Sequence, residues 1–223
     1  MIVRLLLFFL FLISLLTYSY SYSQELPKSR YDYIVNDSSI PKNTRHLSEG
    51  YYIGSIPKST KQIETLYYDY NIRLIITLTH TKQSFSKIVS KINDLNIDYL
   101  YLPIGSRFPV LTFEQKSLII KHDPNQIYVH CDHGADRSGA FIAYLLILRN
   151  NYSIPKALLS ITTPRKKDQQ ILMNILLEYG YSITDEDLQT KSIYAGKGGL
   201  KLQGDTYVRL VKTFLNNLTL NLK

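Results

Sequence analysis

The chain has one cysteine, no tryptophan and no cluster of metal-binding residues, and each of these narrows what it can be. A single cysteine among 223 residues can form no internal disulfide, so the fold must hold by its core rather than by staples. Five histidines are too scattered for a metal-ligand set, and no cofactor is implied. Gly196-Lys197-Gly198-Gly199 lacks the spacing of a nucleotide-binding loop and reads as a flexible connector. There is no aromatic-basic motif of the nucleic-acid-binding kind, so nucleic acid is not an expected partner. Nineteen tyrosines without a tryptophan, beside abundant Lys, Asn and Ile, read as a compositional bias of the source. The formal net charge of +8 therefore discriminates little, although a basic surface suits an anionic substrate.

What is present is concentrated in ten residues. Positions 130 to 139 read His-Cys-Asp-His-Gly-Ala-Asp-Arg-Ser-Gly, with the lone Cys131 six positions before Arg137. Ile127 to His130 is a short β-prone apolar run and Ala140 to Leu148 is an apolar, helix-compatible stretch. The decapeptide thus lies where a buried strand hands over to a helix. Free backbone N–H groups and the dipole of a helix N-terminus favour an anion there. The same field, with a neighbouring guanidinium, favours a thiolate over a thiol at Cys131. Arg137 can hold two phosphoryl oxygens with its fork of donors, and Ser138 can donate to the sulfur when it leaves. Gly134 and Gly139 would let the backbone curl around the ligand, and His130 would hold the loop from beneath.

His130, Cys131, Gly134, Arg137, Ser138 and Gly139 resemble, in identity and spacing, the signature loop of the cysteine-based protein tyrosine and dual-specificity phosphatases. Residues 51 to 57 and 70 to 78 look like the opening strand and later strand of the small dual-specificity members, so that the resemblance covers roughly residues 43 to 180. It implies that Cys131 is the nucleophile and Arg137 the phosphoryl binder, with Asp132, His133, Gly134, Ala135 and Gly139 around the phosphate. His133 is either a substrate contact or a solvent-facing loop residue. The expected reaction is hydrolysis of phosphate monoesters through a phosphocysteine, of the protein tyrosine or dual-specificity type. Phosphoinositides or inositol phosphates are alternative substrates. A phosphate-binding module with weak turnover is the reading from another class.

The general acid is the difficulty. Phosphatases of this kind usually supply an aspartate from a loop after an earlier strand, but Gly105 to Leu111, which follows the strand at Asp98 to Ile104, contains no carboxylate. Asp98 and Asp123 precede their strands and so belong at the wrong end of an open α/β sheet. Glu114 follows Thr112 in a capping-box pattern with Gln115, where it is ordinarily a dipole partner. Asp136, immediately before Arg137, resembles the arrangement in myotubularin-like phosphoinositide phosphatases and is the preferred acid. Its alternative is a loop-bracing or solvent-facing role. Asp132 would oppose thiolate formation unless its side chain turns away. Gln169 is a candidate for positioning the hydrolytic water, the other reading being a solvated helix start, and Asp168 is a candidate N-cap for the same helix.

The expected fold is a three-layer α/β domain with a mostly parallel sheet from strands near 51 to 55, 73 to 78, 98 to 103 and 127 to 130. Before it, Met1 to Ser23 carries Arg4, an apolar stretch from Leu5 to Leu16 and small residues at Ser21 and Ser23. That pattern is a secretory signal peptide, which makes the expected location secreted or periplasmic. An uncleaved membrane anchor is the alternative, and the one route to membrane association. Residues 24 to 42 read as a linker. An unpaired thiolate in an oxidising compartment is open to sulfenylation. Residues 181 to 223 read as an extension packed on the core, with a short helix from Asp185, a loop at 196 to 204 and helical spacing from Tyr207 to Leu218. A monomer is expected.

Overall fold

A sheet of six strands in the order β1-β2-β3-β6-β4-β5 forms the middle layer of the structure, a computed structural model that describes residues 31–33, 38–47, 49–80, 86–105, 107–162, 166–190 and 205–222. The signal segment 1–23, Pro164, Arg165 and the loop expected at 196–204 lie outside the described residues. The described residues belong to one compact unit, Tyr31–Lys223.

Four strands are parallel: β3 (Tyr52–Ser55), β4 (Leu74–Thr77), β5 (Asp98–Tyr101) and β6 (Ile127–Cys131). Every residue of β4 and β6 is buried. A parallel strand covered on both faces is mostly apolar, as Leu74–Ile76 and Ile127–Val129 are, and the buried polar Thr77 and His130 bond to each other across the two strands. Alternate side chains serve different cores. Leu74, Ile76, Ile127 and Val129 join the larger cluster, while Ile75 and Tyr128 join the smaller one with Ile63, Leu66, Ile88 and Ile92. The last four lie on α1 (Thr60–Tyr68) and α2 (Ser86–Asp94), which form the layer on that face.

Two antiparallel strands, β1 (Tyr31–Tyr33) and β2 (Arg45–Leu47), extend the sheet beside β3. Within the linker expected at 24–42, Tyr31 to Tyr33 form a strand instead, pairing with Leu47 to Arg45; residues 24–30 and 34–37 lie outside the described residues. Three residues are too short for a period-two pattern to show in sequence.

The opposite layer contains α3 (Phe113–Lys121), α4 (Asp136–Asn150), α5 (Ile154–Ile161), α6 (Lys166–Glu178), the short α7 (Asp185–Gln189) and α8 (Asp205–Asn221). The capping box expected at Thr112 and Gln115 opens α3. Asp168 is not an N-cap. The helix begins at Lys166, so Asp168 falls in its first turn with a fully buried side chain. On α4 every residue from Ser138 to Leu146 is buried, and Asn151 ends the helix in the left-handed conformation with φ 54°.

The C-terminal helix is part of the core. Leu210, Val211, Phe214, Leu215 and Leu218 of α8 are buried in the larger cluster, and Phe214 meets Phe108 edge-on at 4.8 Å between centroids. Asn217 Nδ2 donates to the Phe108 carbonyl at 2.7 Å. Asn221 accepts from the Leu111 amide at 2.7 Å and donates to the Pro109 carbonyl at 3.1 Å. The loop after β5 is therefore held by the last helix of the chain. Among the described residues no helix is long and apolar enough to cross a membrane.

Candidate active site

Cys131 is the last residue of β6, and the helix that follows, α4, starts at Asp136. The intervening residues form the turn that the sequence suggested, at the carboxyl ends of the parallel strands, where open α/β sheets gather ligands. A cavity of about 360 Å³ opens over it, lined by Cys131, Asp132, His133, Asp136 and Arg137 of the loop together with His80, Ile104, Gly105, Tyr207 and Leu210. Cys131 is only 3% exposed, so its sulfur lies at the floor and is reached from this side alone.

The loop's shape is imposed from behind. Gly134 has φ +70°, and a Cβ there would enter the backbone of Gly54, 2.8 Å from its Cα and closer still to its carbonyl. Gly54 is required in turn, because its own Cβ would sit 2.8 Å from Thr44 Oγ1 and nearer to the Tyr128 hydroxyl. Two glycine backbones thus meet where β3 passes under the loop. Asn43 Nδ2 donates to the His133 carbonyl at 3.0 Å, and the buried Arg45 donates to the Gly134 carbonyl. Since C=O and N–H of a trans peptide point in opposite directions, the amides of Gly134 and Ala135 face away from Asn43 and Arg45, neither of which lines the cavity. Gly134 itself is not among the residues that line the cavity. Gly139 has no conformational need of its own. It is within α4, where its N–H bonds to the Ala135 carbonyl at 2.8 Å.

Beneath the loop, His130 is fully buried and its Nε2 is 2.7 Å from Thr77 Oγ1 on the neighbouring strand β4. Burial pushes its pKa down to about 3, so the ring is neutral at ordinary pH and braces the strand end rather than exchanging protons. Ser138 Oγ lies 3.4 Å from the Cys131 sulfur, within reach of the weak bond that sulfur makes.

Arg137 is held by two side chains. It donates to Asp132 and, at 3.3 Å, to Thr79 Oγ1, while the Thr79 hydroxyl donates to the other Asp132 oxygen at 2.6 Å. The doubt over Asp132 is resolved by this triangle, because its carboxylate is turned to Arg137 and Thr79. Burial alone would raise its pKa, but the bonds from Thr79 and Arg137 outweigh burial and hold it below the usual carboxylate range. Thr79 was not singled out from the sequence. The available signal was its place just past the carboxyl end of β4.

Asp136 lines the cavity with Cys131 and Arg137. Of the carboxylates considered outside the loop none does: Glu114 is exposed on the first turn of α3, and Asp98, at the start of β5, is bonded to Lys121 and His122. Asp123 caps the 3-10 turn before β6. Gln169, half-buried in the first turn of α6, is not among the lining residues, and neither are Ala135 and Gly139. His133 is exposed and does line the cavity. Among the unexpected members are Tyr207 and Leu210. They come from α8, and their helical spacing in the sequence carried no sign of where that helix docks. Among the described residues no group of three or more His, Cys, Asp or Glu could hold a metal ion.

No family profile matches the sequence, and neither does any curated protein. Similarity appears with solved structures. PTPMT1 is 16% identical with a TM-score of 0.45, over 77% of this chain and 92% of that one. The kinase associated phosphatase KAP, with its catalytic-site cysteine replaced by serine, is 17% identical with a TM-score of 0.46, over 66% and 100%. The core catalytic domain of the PP-IP phosphatase SIW14 from S. cerevisiae is 17% identical with a TM-score of 0.42, over 63% and 94%.

Proposed function

We propose that the protein is a cysteine-dependent phosphatase that hydrolyses phosphate monoesters, of the protein tyrosine or dual-specificity type. The observation that carries this reading is the Cys131 sulfur at the floor of a cavity that Arg137 also lines, at the N-terminus of α4. In the first step the thiolate attacks phosphorus, the S–P bond forms and the P–O bond to the leaving group breaks. Asp136 gives its proton to the departing oxygen. Arg137 and the loop amides take the charge of the equatorial oxygens. In the second step water attacks phosphorus, Asp136 takes the water's proton, and sulfur leaves with a hydrogen bond from Ser138.

A side chain bearing one phosphate suits the cavity better than a polyphosphorylated ring. Among the described lining residues Arg137 is the one permanent cation, and it stands with Asp132 and Asp136, whereas each further phosphate would need its own cationic partner. The test is release of phosphate from phosphotyrosine peptide, phosphoinositide and inositol phosphate at equal enzyme concentration. Turnover by reduced wild-type protein should vanish in Cys131→Ser. Well-folded, reduced protein that binds phosphate ligands without turnover would instead favour the binding-module reading. Export is part of the proposal, through the apolar segment 5–16. N-terminal sequencing of secreted protein should then begin at Gln24, and an intact Met1 on a membrane-bound form would refute cleavage.

A further inference from the structure

The C-terminal helix places a phenol in the catalytic cavity that the chemistry above does not use. Tyr207 stands in the first turn of α8 and lines the same cavity as Cys131, Asp136 and Arg137. Its phenol interacts with the Asp136 side chain, which lines the same cavity. The placement is not that of a loose surface residue. One turn further along, Leu210 and Val211 are 2% and 1% exposed, and the far end of the helix is tied down by Asn217 and Asn221 through the backbone of 108–111. The same helix therefore holds the loop after β5, which has no acid of its own, and reaches the carboxylate assigned that role.

We propose that Tyr207 is a positioning residue for Asp136, its phenol donating to one carboxyl oxygen so that the other faces the leaving oxygen of a bound phosphate ester. This rests on Asp136 as the general acid. A free carboxyl group can rotate its proton away from the substrate, and a fixed donor on one oxygen removes that freedom. The phenol is suited to be such a donor, because the interaction with Asp136, burial and the nearby negative charge all hold its pKa above the ordinary tyrosine value. It keeps its proton across the working pH range. Both protonation states of Asp136 retain an oxygen that can accept this bond, so the arrangement serves proton donation in the first step and proton uptake in the second. The extension beyond residue 180 would then be part of the catalytic machinery rather than a cover for an apolar face.

The experiment uses the full chain as wild type, Asp136→Asn, Tyr207→Phe and the double variant. Substrates are an activated aryl phosphate, whose phenolate leaves without a proton, and a phosphoserine peptide, whose alkoxide cannot. Asp136→Asn should lower kcat/KM on the peptide by about a hundredfold, typical of a lost general acid, and change kcat/KM on the aryl phosphate little, because that ratio covers only the steps through P–O cleavage and not the hydrolysis that both substrates share. Tyr207→Phe should lower kcat/KM on the peptide by about tenfold, the worth of one hydrogen bond to a charged or reacting group, with kcat/KM on the aryl phosphate near wild type. The double variant should match Asp136→Asn alone. An equal fall in kcat/KM on both substrates in Tyr207→Phe, or full additivity with Asp136→Asn, would overturn the proposal while leaving the acid assignment intact. An Asp136→Asn enzyme with unchanged dependence on leaving group removes the acid assignment, and the role of Tyr207 with it. Absence of Cys131-dependent turnover in wild type is separate from both and removes the phosphatase reading itself.

Discussion

Replacing Gly134 by alanine tests whether the phosphate loop owes its shape to the backbone contact with Gly54. Two costs are expected. A residue other than glycine at φ +70° pays roughly 1–2 kcal/mol for the left-handed conformation. The new Cβ must also displace backbone atoms of Gly54, and overpacking of this kind costs about 1–3 kcal/mol. Gly180 provides the control, since its φ is +78° and nothing lies within 4 Å of its Cβ position. Gly180→Ala should show the conformational cost alone. Urea unfolding of both variants isolates the steric part as their difference, and an excess of about 2 kcal/mol would appear as a Tm lower by roughly 4–8 °C in a domain of this size. Activity should respond more than stability, because a displacement of the loop by about 1 Å misaligns the nucleophile and can cost 10²-fold in rate. If Gly134→Ala is no less stable than Gly180→Ala, and as active, the loop is not braced against β3 and the account of its shape is wrong.

The buried neutral His130 should make stability pH-dependent above the ordinary carboxylate range. Its pKa is about 3 in the folded protein against 6.5 unperturbed, so the unfolded chain binds the extra proton. Stability then falls as pH drops below 6.5, by about 1.4 kcal/mol per unit; urea midpoints at pH 7 and 5 should show this slope in wild type and lose it in His130→Gln. Asp132→Asn should change stability by less than about 1 kcal/mol, since its side chain is 49% exposed in the pair with Arg137. It should nevertheless weaken phosphate-ester binding by loosening the guanidinium, and an unchanged KM would count against that role for Asp132. Phe214→Ala should cost about 3–5 kcal/mol as a large-to-small change at a site 1% exposed; a shift in the unfolding midpoint worth under 1 kcal/mol would mean that α8 is not integral to the core.

The legible parts of the protein are those that local chemistry specifies. The strands β4 and β6 announce themselves because a parallel strand buried on both faces is largely apolar, and each begins with a short apolar run, residues 74–76 and 127–129. Thr112 and Gln115 announce a helix start because their side chains bond the backbone within the same turn. Asp168 misled for the same local reason, since an aspartate suits an N-cap or the first turn equally well, and only the backbone places it in the second. β1 was hidden because three residues gain strand character only from their partner Arg45–Leu47.

By itself the sequence determined the thiol, the guanidinium and the turn between them, because Cys131 to Arg137 lie within seven consecutive positions and a strand-to-helix loop needs no distant residue to bring them together. Tertiary structure decided what surrounds that loop. It set Gly54 against Gly134, Thr79 beside Asp132 and Arg137, and Tyr207 against Asp136, pairs separated by 53 to 80 positions along the chain. Such contacts follow from how the sheet and α8 pack, and packing depends on the whole set of buried faces at once rather than on any spacing within one segment.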